Sequence, residues 1–404
     1  MIASSSLRRH LSLLLLLISP HTQANDEVLH LISERLSLMQ AVAAHKWINR
    51  LQIADLEREE TVIQAAVLTG LKHRITKESS TAFYRAQIEA AKDIQRCWFN
   101  RWQSGHEPSE AADLHTVIRP RLLELGARIA AGLLEPTWDV KSFRSTVEVE
   151  CLSENSRQSI FKGLQAIERY ESRYNQIIEG GVLRVGTTGD YAPFSFSGDS
   201  TKFSGIDIDL SRDLADSLDV TVVYIHTTWP SLSKDFSAGE FDIAMSGVSI
   251  TDKRKVIASF SLPYHVGGKT PIALCSRTSD FDSLEKIDRK GIRIVVNPGG
   301  TNERYLDTNI VQATKVLHTD NRNIFDQIVA GRVDLMITDA IEVRLQTARN
   351  KKLCATMPGK TLTLQKKGIM LPKDGQLLIA VNQWLKKRIE DGTVAKVFTT
   401  HLNR

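Results

Sequence analysis

Two sets of residues in this 404-residue chain have types and spacing suited to chemistry. The first is a group of cations in helical sequence. Arg35 and Lys46 stand eleven positions apart, about three turns, which puts both on one face of one predicted helix. Arg58 follows on the next segment, and Arg119 starts a later helix. Gln87, Ala91 and Gln95 fall four apart, on one stripe of another. Basic residues on helices are normally solvated. A bundle that turned several of them inward, with an amide, would bind a small polyanion. The second set lies in "NPGGTNERYL", Asn297 to Leu306. A glycine-rich turn opens a helix there, and such loops hold anions on backbone N–H groups. Glu303 places a carboxylate in that first turn. Either it is a neutral acid that gives up a proton, or it is a helix-start residue stabilised by the dipole.

The elements that must position these residues differ between the two parts of the chain. Residues 25–172 contain five glycines and residues 173–404 contain eighteen. Glycine marks turns, so long helices are expected first and many short elements after. Apolar residues three and four apart run from Val28 to Leu71, and further helices are expected near Ser80–Trp102, Val117–Leu134 and Glu154–Glu179. Pro120 suits a first helical turn. In the second part, "VLRVGTT", "VTVVYIH", "FDIAMSG", "IRIVVN" and "DLMITD" read as buried strands with helical stretches between them. That alternation predicts parallel sheets covered by helices on both faces, with ligands at the carboxyl ends of the strands. Thr187–Tyr191, Ser246–Thr251, Asn297–Glu303 and Thr338–Asp339 fall there. The fold class is therefore multidomain: an all-α bundle over residues 25–172 and an α/β domain over 173–404.

Residues 1–24 read as an export signal. Arg8, Arg9 and His10 precede "LSLLLLLI", an apolar run too short to span a membrane, and "TQA" provides a small-residue exit near Ala24. No stable membrane anchor is expected, and the periplasm is the expected compartment. Export permits disulfides among Cys97, Cys151, Cys275 and Cys354, for which three connectivities exist. The formal charge is only +5, with no basic block, so nucleic acid is not an expected partner. No C-x-x-C pair or histidine cluster suggests a metal, and no cofactor is expected.

"ERL" at Glu34, "AVAAHKW" at Ala41–Trp47, "DLEREE" at Asp55–Glu60 and "QIEAAKDIQ" at Gln87–Gln95 together resemble the AroQ-type chorismate mutases, especially their secreted subclass. The resemblance covers roughly residues 26–150. It implies that Arg35, Arg58 and Arg119 hold the two carboxylates of chorismate. Lys46 and Gln95 would face the ether oxygen, and Glu59 the ring hydroxyl. Ala91 departs from the family, where a hydroxyl residue is common, and Arg119 aligns only with an insertion in the preceding loop. Secreted mutases often dimerise through the helical domain, so a homodimer is one arrangement left open.

"GTTGDYAPFSF", "GIDIDLSRDLA" and "IVAGRVDLMITDA" resemble the periplasmic amino-acid-binding receptors, whose two lobes close on a ligand. That pattern implies lobes of about 181–269 with 370–404, and about 270–369. Hinge strands are implied at "GGKTPIALC" and "LTLQKKGIM". It also gives Arg254 and Thr301 a substrate carboxylate to hold, which suits arginine's planar fork. "TTGDYAPFS", "TTWPSLSKDF", "AMSGVSIT", "GKTPIALC" and "NPGGTNE" are similar, more narrowly, to the cyclohexadienyl dehydratases. This implies a catalytic acid at Glu303, pocket residues at Asp190, Tyr191, Ser246, Ser249, Asn302 and Asp339, and a Cys275–Cys354 disulfide. Cys97 and Cys151 would then be left to pair in the helical half.

Together the resemblances imply an exported bifunctional enzyme. It would rearrange chorismate to prephenate, then convert prephenate to phenylpyruvate, or arogenate to phenylalanine. The rival reading is an amino-acid-type receptor fused to a helical module, without chemistry. A weaker one leaves only the mutase half active.

Overall fold

The computed structural model describes residues 20–105, 107–133, 138–198 and 202–403. Residues 1–19, most of the expected export signal, lie outside them. The chain divides into two compact units, Met1–Arg169 and Tyr170–Arg404. No helix among the described residues is long and apolar enough to cross a membrane.

The first unit is helical. Its longest element, Lys77–Gln103, contains neither glycine nor proline and starts at Thr76, whose hydroxyl accepts the Ser79 N–H at 3.3 Å. Phe83, Gln87, Ala90 and Ile94 bury one face of it. Against that face runs Glu154–Gln165, close enough that a Cβ on Gly163 would stand 3.0 Å from the Phe83 Cα. The helix Leu56–Lys72 starts at Asp55, whose carboxylate accepts the Arg58 N–H at 3.0 Å. The helix Arg119–Gly132 carries Pro120 in its first turn, after a short π-helical turn at Leu114–Ile118.

Two helical expectations are corrected. Arg35 and Lys46 do not share one helix: Pro20–Ser37 ends and Met39–Ile48 begins across Leu38. The Ser37 hydroxyl bonds back to the Ser33 carbonyl at 2.9 Å, a contact that bends helices. The i to i−4 bonds from Leu38 N to Glu34 O and from Val42 N to Leu38 O nonetheless continue across the junction, so the two faces stay nearly aligned. The single helix expected over Glu154–Glu179 is also broken. It stops at Gln165 and restarts at Arg173, where Ser172 caps it. Between them Glu168 is drawn out of helical geometry. Its carbonyl takes the Thr76 N–H at 2.9 Å, and its N–H goes to the Ser79 hydroxyl at 3.1 Å. The boundary between the two units falls in this break.

The second unit contains two five-stranded sheets. In the first, Val182–Thr187 lies between Thr221–His226 and Ile243–Ala244, parallel to both. Met370–Leu371 follows antiparallel, and Ser259–Phe260, antiparallel to it, completes the sheet in the direction of the first three strands. In the second, Arg293–Val296 lies parallel to Thr314–Leu317 and Leu335–Asp339, Lys269–Leu274 runs antiparallel beside Leu335–Asp339, and Leu353–Ala355 pairs antiparallel with Lys269–Leu274 at the edge. The all-parallel expectation is thus corrected at the strands by which the chain enters the second sheet and returns to the first. Each lobe carries an arginine–aspartate pair next to its central strand, fully buried in the first and with its arginine partly exposed in the second. Arg184 Nη2 meets Asp242 Oδ1 at 2.6 Å, and Arg293 Nε meets Asp334 Oδ2 at 3.1 Å. These fixed ends aim the opposite, carboxyl ends of the strands at the cleft.

Cys97 is bonded to Cys151 within the helical unit and Cys275 to Cys354 within the α/β unit, spanning 54 and 79 residues. Closing loops of this length stabilises a domain by about 2–4 kcal/mol. A Cys275→Ser/Cys354→Ser double variant is therefore expected to melt roughly 4–16 °C lower in the α/β transition, at about 2–4 °C per kcal/mol for this size. Calorimetry that found this transition unmoved would assign the bond no stabilising role.

Candidate active sites

Four helices and the start of a fifth surround a cavity of about 180 Å³ in the first unit. Arg35, Lys46, Arg58, Glu59, Gln95 and Arg119, read separately from the sequence, all line it. Arg35 is half-buried, and loss of water pushes its guanidinium below the usual arginine range; its Nη1 donates to the Leu122 carbonyl at 3.1 Å. Lys46 sits at the last turn of Met39–Ile48 and gives one N–H to the Ile53 carbonyl at 2.7 Å. Two of its three N–H groups stay available. Burial lowers its pKa, with Asp55 and Glu59 opposing. Gln95 spends one amide hydrogen on the Ala91 carbonyl at 3.0 Å and turns Nε2 also toward Met39 Sδ at 4.0 Å, a weak acceptor that a substrate oxygen can displace. Arg119 reaches His115 Nδ1 at 2.9 Å.

Lys92 also lines this cavity, and sequence reasoning missed it. It pairs with Glu59 at 3.0 Å and Glu89 at 2.7 Å. The signal was available, because Lys92 lies three residues before Gln95 on the same helix. The lining holds five cations (Arg35, Lys46, Arg58, Lys92, Arg119) against two carboxylates, Asp55 and Glu59. Such a cavity suits a compact dianion held in one conformer, with donors aimed at a developing negative charge.

The α/β cleft is built from strand ends. It is nearly shut, with about 20 Å³ free, room for roughly one water. Tyr191, Ser249, Arg254, Thr301, Asn302 and Asp339 line it. Arg254 is 5 % exposed, and burial drops its pKa to about 10. Its Nη1 donates to the Ser249 carbonyl at 3.0 Å, and its guanidinium lies 5.9 Å from the centre of the Trp229 ring. Among the described residues no carboxylate pairs with it. A buried guanidinium without a counter-ion is a ready carboxylate site.

Asp339 ends its strand between two buried lysines. Lys269 Nζ lies 3.3 Å from Oδ1 and Lys367 Nζ 2.6 Å from Oδ2, and the Tyr191 hydroxyl also donates to Oδ2. Burial alone would raise this carboxyl, but the two lysines outweigh it and hold it well below the usual range. Lys269 further binds Thr301 Oγ1 at 3.1 Å and Asn302 Oδ1; Lys367 binds Ser249 Oγ at 3.0 Å. Neither lysine was singled out from the sequence, although a lysine opening the apolar run "KTPIAL" is an unusual buried residue.

Three expected residues do not line the cleft. The Ser246 hydroxyl is fully buried against Thr188 at 2.8 Å. Asp190 accepts from Trp229 Nε1 at 3.1 Å and borders a separate outer cavity; burial raises its pKa. Glu303 starts the helix Thr301–Asn309, and its Oε2 accepts the Gly299 N–H at 2.7 Å while Lys315 lies 3.5 Å from Oε1. Its neighbours Gly300, Thr301 and Asn302 do face the cleft. Gly299 has φ +82°, and a Cβ there would strike the Pro230 backbone at 2.5 Å, so the turn requires glycine.

A family model of type II chorismate mutases matches residues 22–96, and one of bacterial extracellular solute-binding proteins, family 3, matches residues 183–404. Cyclohexadienyl dehydratase of Pseudomonas aeruginosa is 45% identical over 246 residues, covering 61% of this chain and 89% of that protein. The L-cystine-binding protein TcyJ of Escherichia coli is 29% identical over 226 residues, covering 55% and 84%. The solved structure of the ancestral amino acid-binding protein AncCDT-1, described as a precursor of cyclohexadienyl dehydratase, gives a TM-score of 0.53. It is 33% identical and covers 57% of this chain and 99% of its own.

Glu342, under Thr338 and close to Asp339, is 3 % exposed, and burial raises its pKa to about 8. From about pH 4.5 to 8 the folded protein keeps a proton that the unfolded chain has released. Stability is therefore fully present at low pH and falls as pH rises through that window. Glu342→Gln is expected to flatten this slope, raising the melting temperature at pH 8 while changing it little at pH 5. An unchanged slope across pH 5–8 would mean that Glu342 is already ionised in the fold.

Proposed function

We infer, for a chain that belongs to the bacterial extracellular solute-binding proteins of family 3 and carries a type II chorismate mutase region before them, that its halves catalyse consecutive reactions of phenylalanine synthesis. The helical half rearranges chorismate to prephenate. The α/β half converts prephenate to phenylpyruvate, carbon dioxide and water, and would make phenylalanine from arogenate. The observation that carries this reading is the unmatched positive charge of both sites, each facing a substrate with two carboxylates. The two lineages in the comparisons supply the reaction types. Export to the periplasm, with cleavage near Ala24, is part of the proposal; the two disulfides and the extracellular family support it.

The mutase step is pericyclic and moves no proton between protein and substrate. Arg35, Arg58 and Arg119 hold the carboxylates in the reactive conformer. Lys46 and Gln95 donate their free N–H groups to the ether oxygen as its charge grows. Glu59 accepts the ring hydroxyl.

The dehydratase step needs an acid, because hydroxide leaves poorly. The ring carboxylate departs as carbon dioxide, its electron pair completes the aromatic ring, and the hydroxyl leaves as water after taking one proton. Glu303 is the proposed donor. Its carboxyl is held outside the shut cleft by Gly299 N–H and Lys315. Lobe opening and substrate entry must turn it inward, where loss of water and the substrate's negative charge favour its protonated form. Arg254 and the Thr301 loop hold the remaining carboxylate.

Adding chorismate to the full chain at neutral pH should yield phenylpyruvate; prephenate that accumulates unconverted would leave only the mutase half active. A receptor without chemistry would return prephenate unchanged. Lys46→Ala should lower chorismate turnover by roughly 10²–10³ with prephenate dehydration untouched. Normal rearrangement by that variant would misassign the helical site. Glu303→Gln should cut prephenate turnover by roughly 10²–10⁴, or about 3–5 kcal/mol of barrier, while substrate still binds. Wild-type turnover would make Glu303 a helix-start residue only.

A further inference from the structure

The helical cavity is built to hold a dianion, yet its wall carries two carboxylates of its own, Asp55 and Glu59. Taking the helical half as a chorismate mutase, the reading on which this inference rests, each of them is a liability. A carboxylate in the wall repels the substrate and competes for the cations the substrate needs. Asp55 is committed as a helix cap, with Oδ1 on the Arg58 N–H at 3.0 Å. Glu59 has the longer and more flexible side chain. Lys46 already feels both: burial lowers its pKa, and Asp55 and Glu59 push it back up. Lys46 nevertheless forms no ion pair among the described residues, and its one bond there goes to the Ile53 carbonyl at 2.7 Å.

Lys92 accounts for that separation. It reaches across from the helix Lys77–Gln103 and places Nζ 3.0 Å from Glu59 Oε2. Glu59 Oε1 takes the Asp55 N–H at 3.3 Å, so both oxygens are held, one by the helix's own start and one by the facing helix. Glu89, one turn before Lys92, grips the same ammonium at 2.7 Å. The side chains of Lys92 and Glu59 are only 13% and 20% exposed, so salt screens this pair less than a surface pair. Burial lowers the Lys92 pKa, but the bonds to Glu89 and Glu59 outweigh it and raise the group, which stays an ammonium. A carboxylate has about four lone-pair sites, so two bonds leave Glu59 able to accept a substrate hydroxyl. With Lys92 and Glu59 cancelling, Arg35, Lys46, Arg58 and Arg119 remain against Asp55 for the two substrate charges.

We propose that Lys92 is a positioning residue of the mutase site: it pins Glu59 to the wall and so prevents Glu59 from pairing with Lys46. Lys46 then keeps the N–H groups that the ether oxygen requires as its charge grows. Lys92 touches no reacting atom; it acts through Glu59 and Lys46.

The test is rearrangement of chorismate by the full chain. Lys92→Met keeps the stem and removes the ammonium. Its kcat should fall roughly 10–10²-fold with a smaller change in KM, because Lys46 acts on charge that appears in the transition state. Lys92→Arg should retain most of the rate. Lys92→Met/Glu59→Gln removes the competing carboxylate as well, so kcat should recover at least roughly threefold over Lys92→Met. A merely structural Lys92 would give losses that multiply, and no recovery in the double variant would overturn the proposal. A raised KM with unchanged kcat would make Lys92 a direct ligand of a substrate carboxylate, and would overturn it too. Melting gives a reading that needs no turnover. The non-additivity of Lys46→Met and Glu59→Gln in the helical transition should be larger by roughly 2–4 °C in the Lys92→Met background, where the two residues are free to pair. Equal non-additivity in both backgrounds would overturn the proposal. If the unmodified chain leaves chorismate unchanged, the mutase reading fails, and the melting cycle still decides whether Lys92 keeps Glu59 off Lys46.

Discussion

Asp339, clasped by two buried lysines, is the charge on which the α/β half depends. It stands at the carboxyl end of its strand, directly across the ladder from Lys269 on the antiparallel neighbour. Lys367 comes from the segment returning to the first sheet, and the Tyr191 hydroxyl comes from the first sheet's own end of the cleft. Entering strand, returning segment and opposite lobe thus meet on one carboxylate. Removing the aspartate alone leaves two buried lysines uncompensated, and losing one side of a buried pair costs about 3–5 kcal/mol in comparable settings. The same cluster reaches the anion loop, because Lys269 binds Thr301 and Asn302. A change of charge at Asp339 is therefore felt at both walls of the cleft.

The two halves reach the same electrostatic result by different folding rules. In the helical unit, cations converge because separate helices each turn a polar stripe inward, and the carbonyls of Leu122 and Ile53 take up part of their hydrogen-bonding capacity. In the α/β unit, the charges lie at strand ends, where backbone geometry sets position and the sheets exclude water. The first arrangement suits a reaction that needs only conformational restraint and fixed donors. The second suits one that must bring a proton to a leaving group inside a closing cleft.

The sequence was informative where pattern and chemistry coincide. The alternation of strands and helices, the helical first half and the six lining residues of the mutase-like cavity were legible from spacing combined with family resemblance. The break at Leu38 was not, because the apolar period continues through it and only a serine back-bond marks it. The interruption at Glu168 was hidden for another reason: its cause is a hydrogen bond to Thr76 and Ser79, some 90 positions away. Lys269 and Lys367 were read as hinge-strand residues. Lysine is so commonly exposed that only the partner, Asp339, gives away its burial, and pairing across 70 and 28 positions has no periodic signature.

Glu303 illustrates what sequence and fold each contribute. A glycine-rich turn before a helix offers N–H groups to an anion, and a carboxylate among them occupies the place of that anion. In the shut cleft that carboxylate is itself the anion: it takes the Gly299 N–H and stands near Lys315. A substrate carboxylate arriving at the loop would compete for the same donor. On the proposed reading, displacement of Glu303 from Gly299 frees its carboxyl to turn toward Gly300, Thr301 and Asn302, which already face the cleft. Binding and delivery of the acid are then one exchange of anions at a single N–H. The loop's glycine is fixed by its positive φ and by the Pro230 backbone, so it cannot retreat to satisfy both carboxylates at once. On the proposed reading, that rigidity would convert occupancy of the loop into movement of the acid.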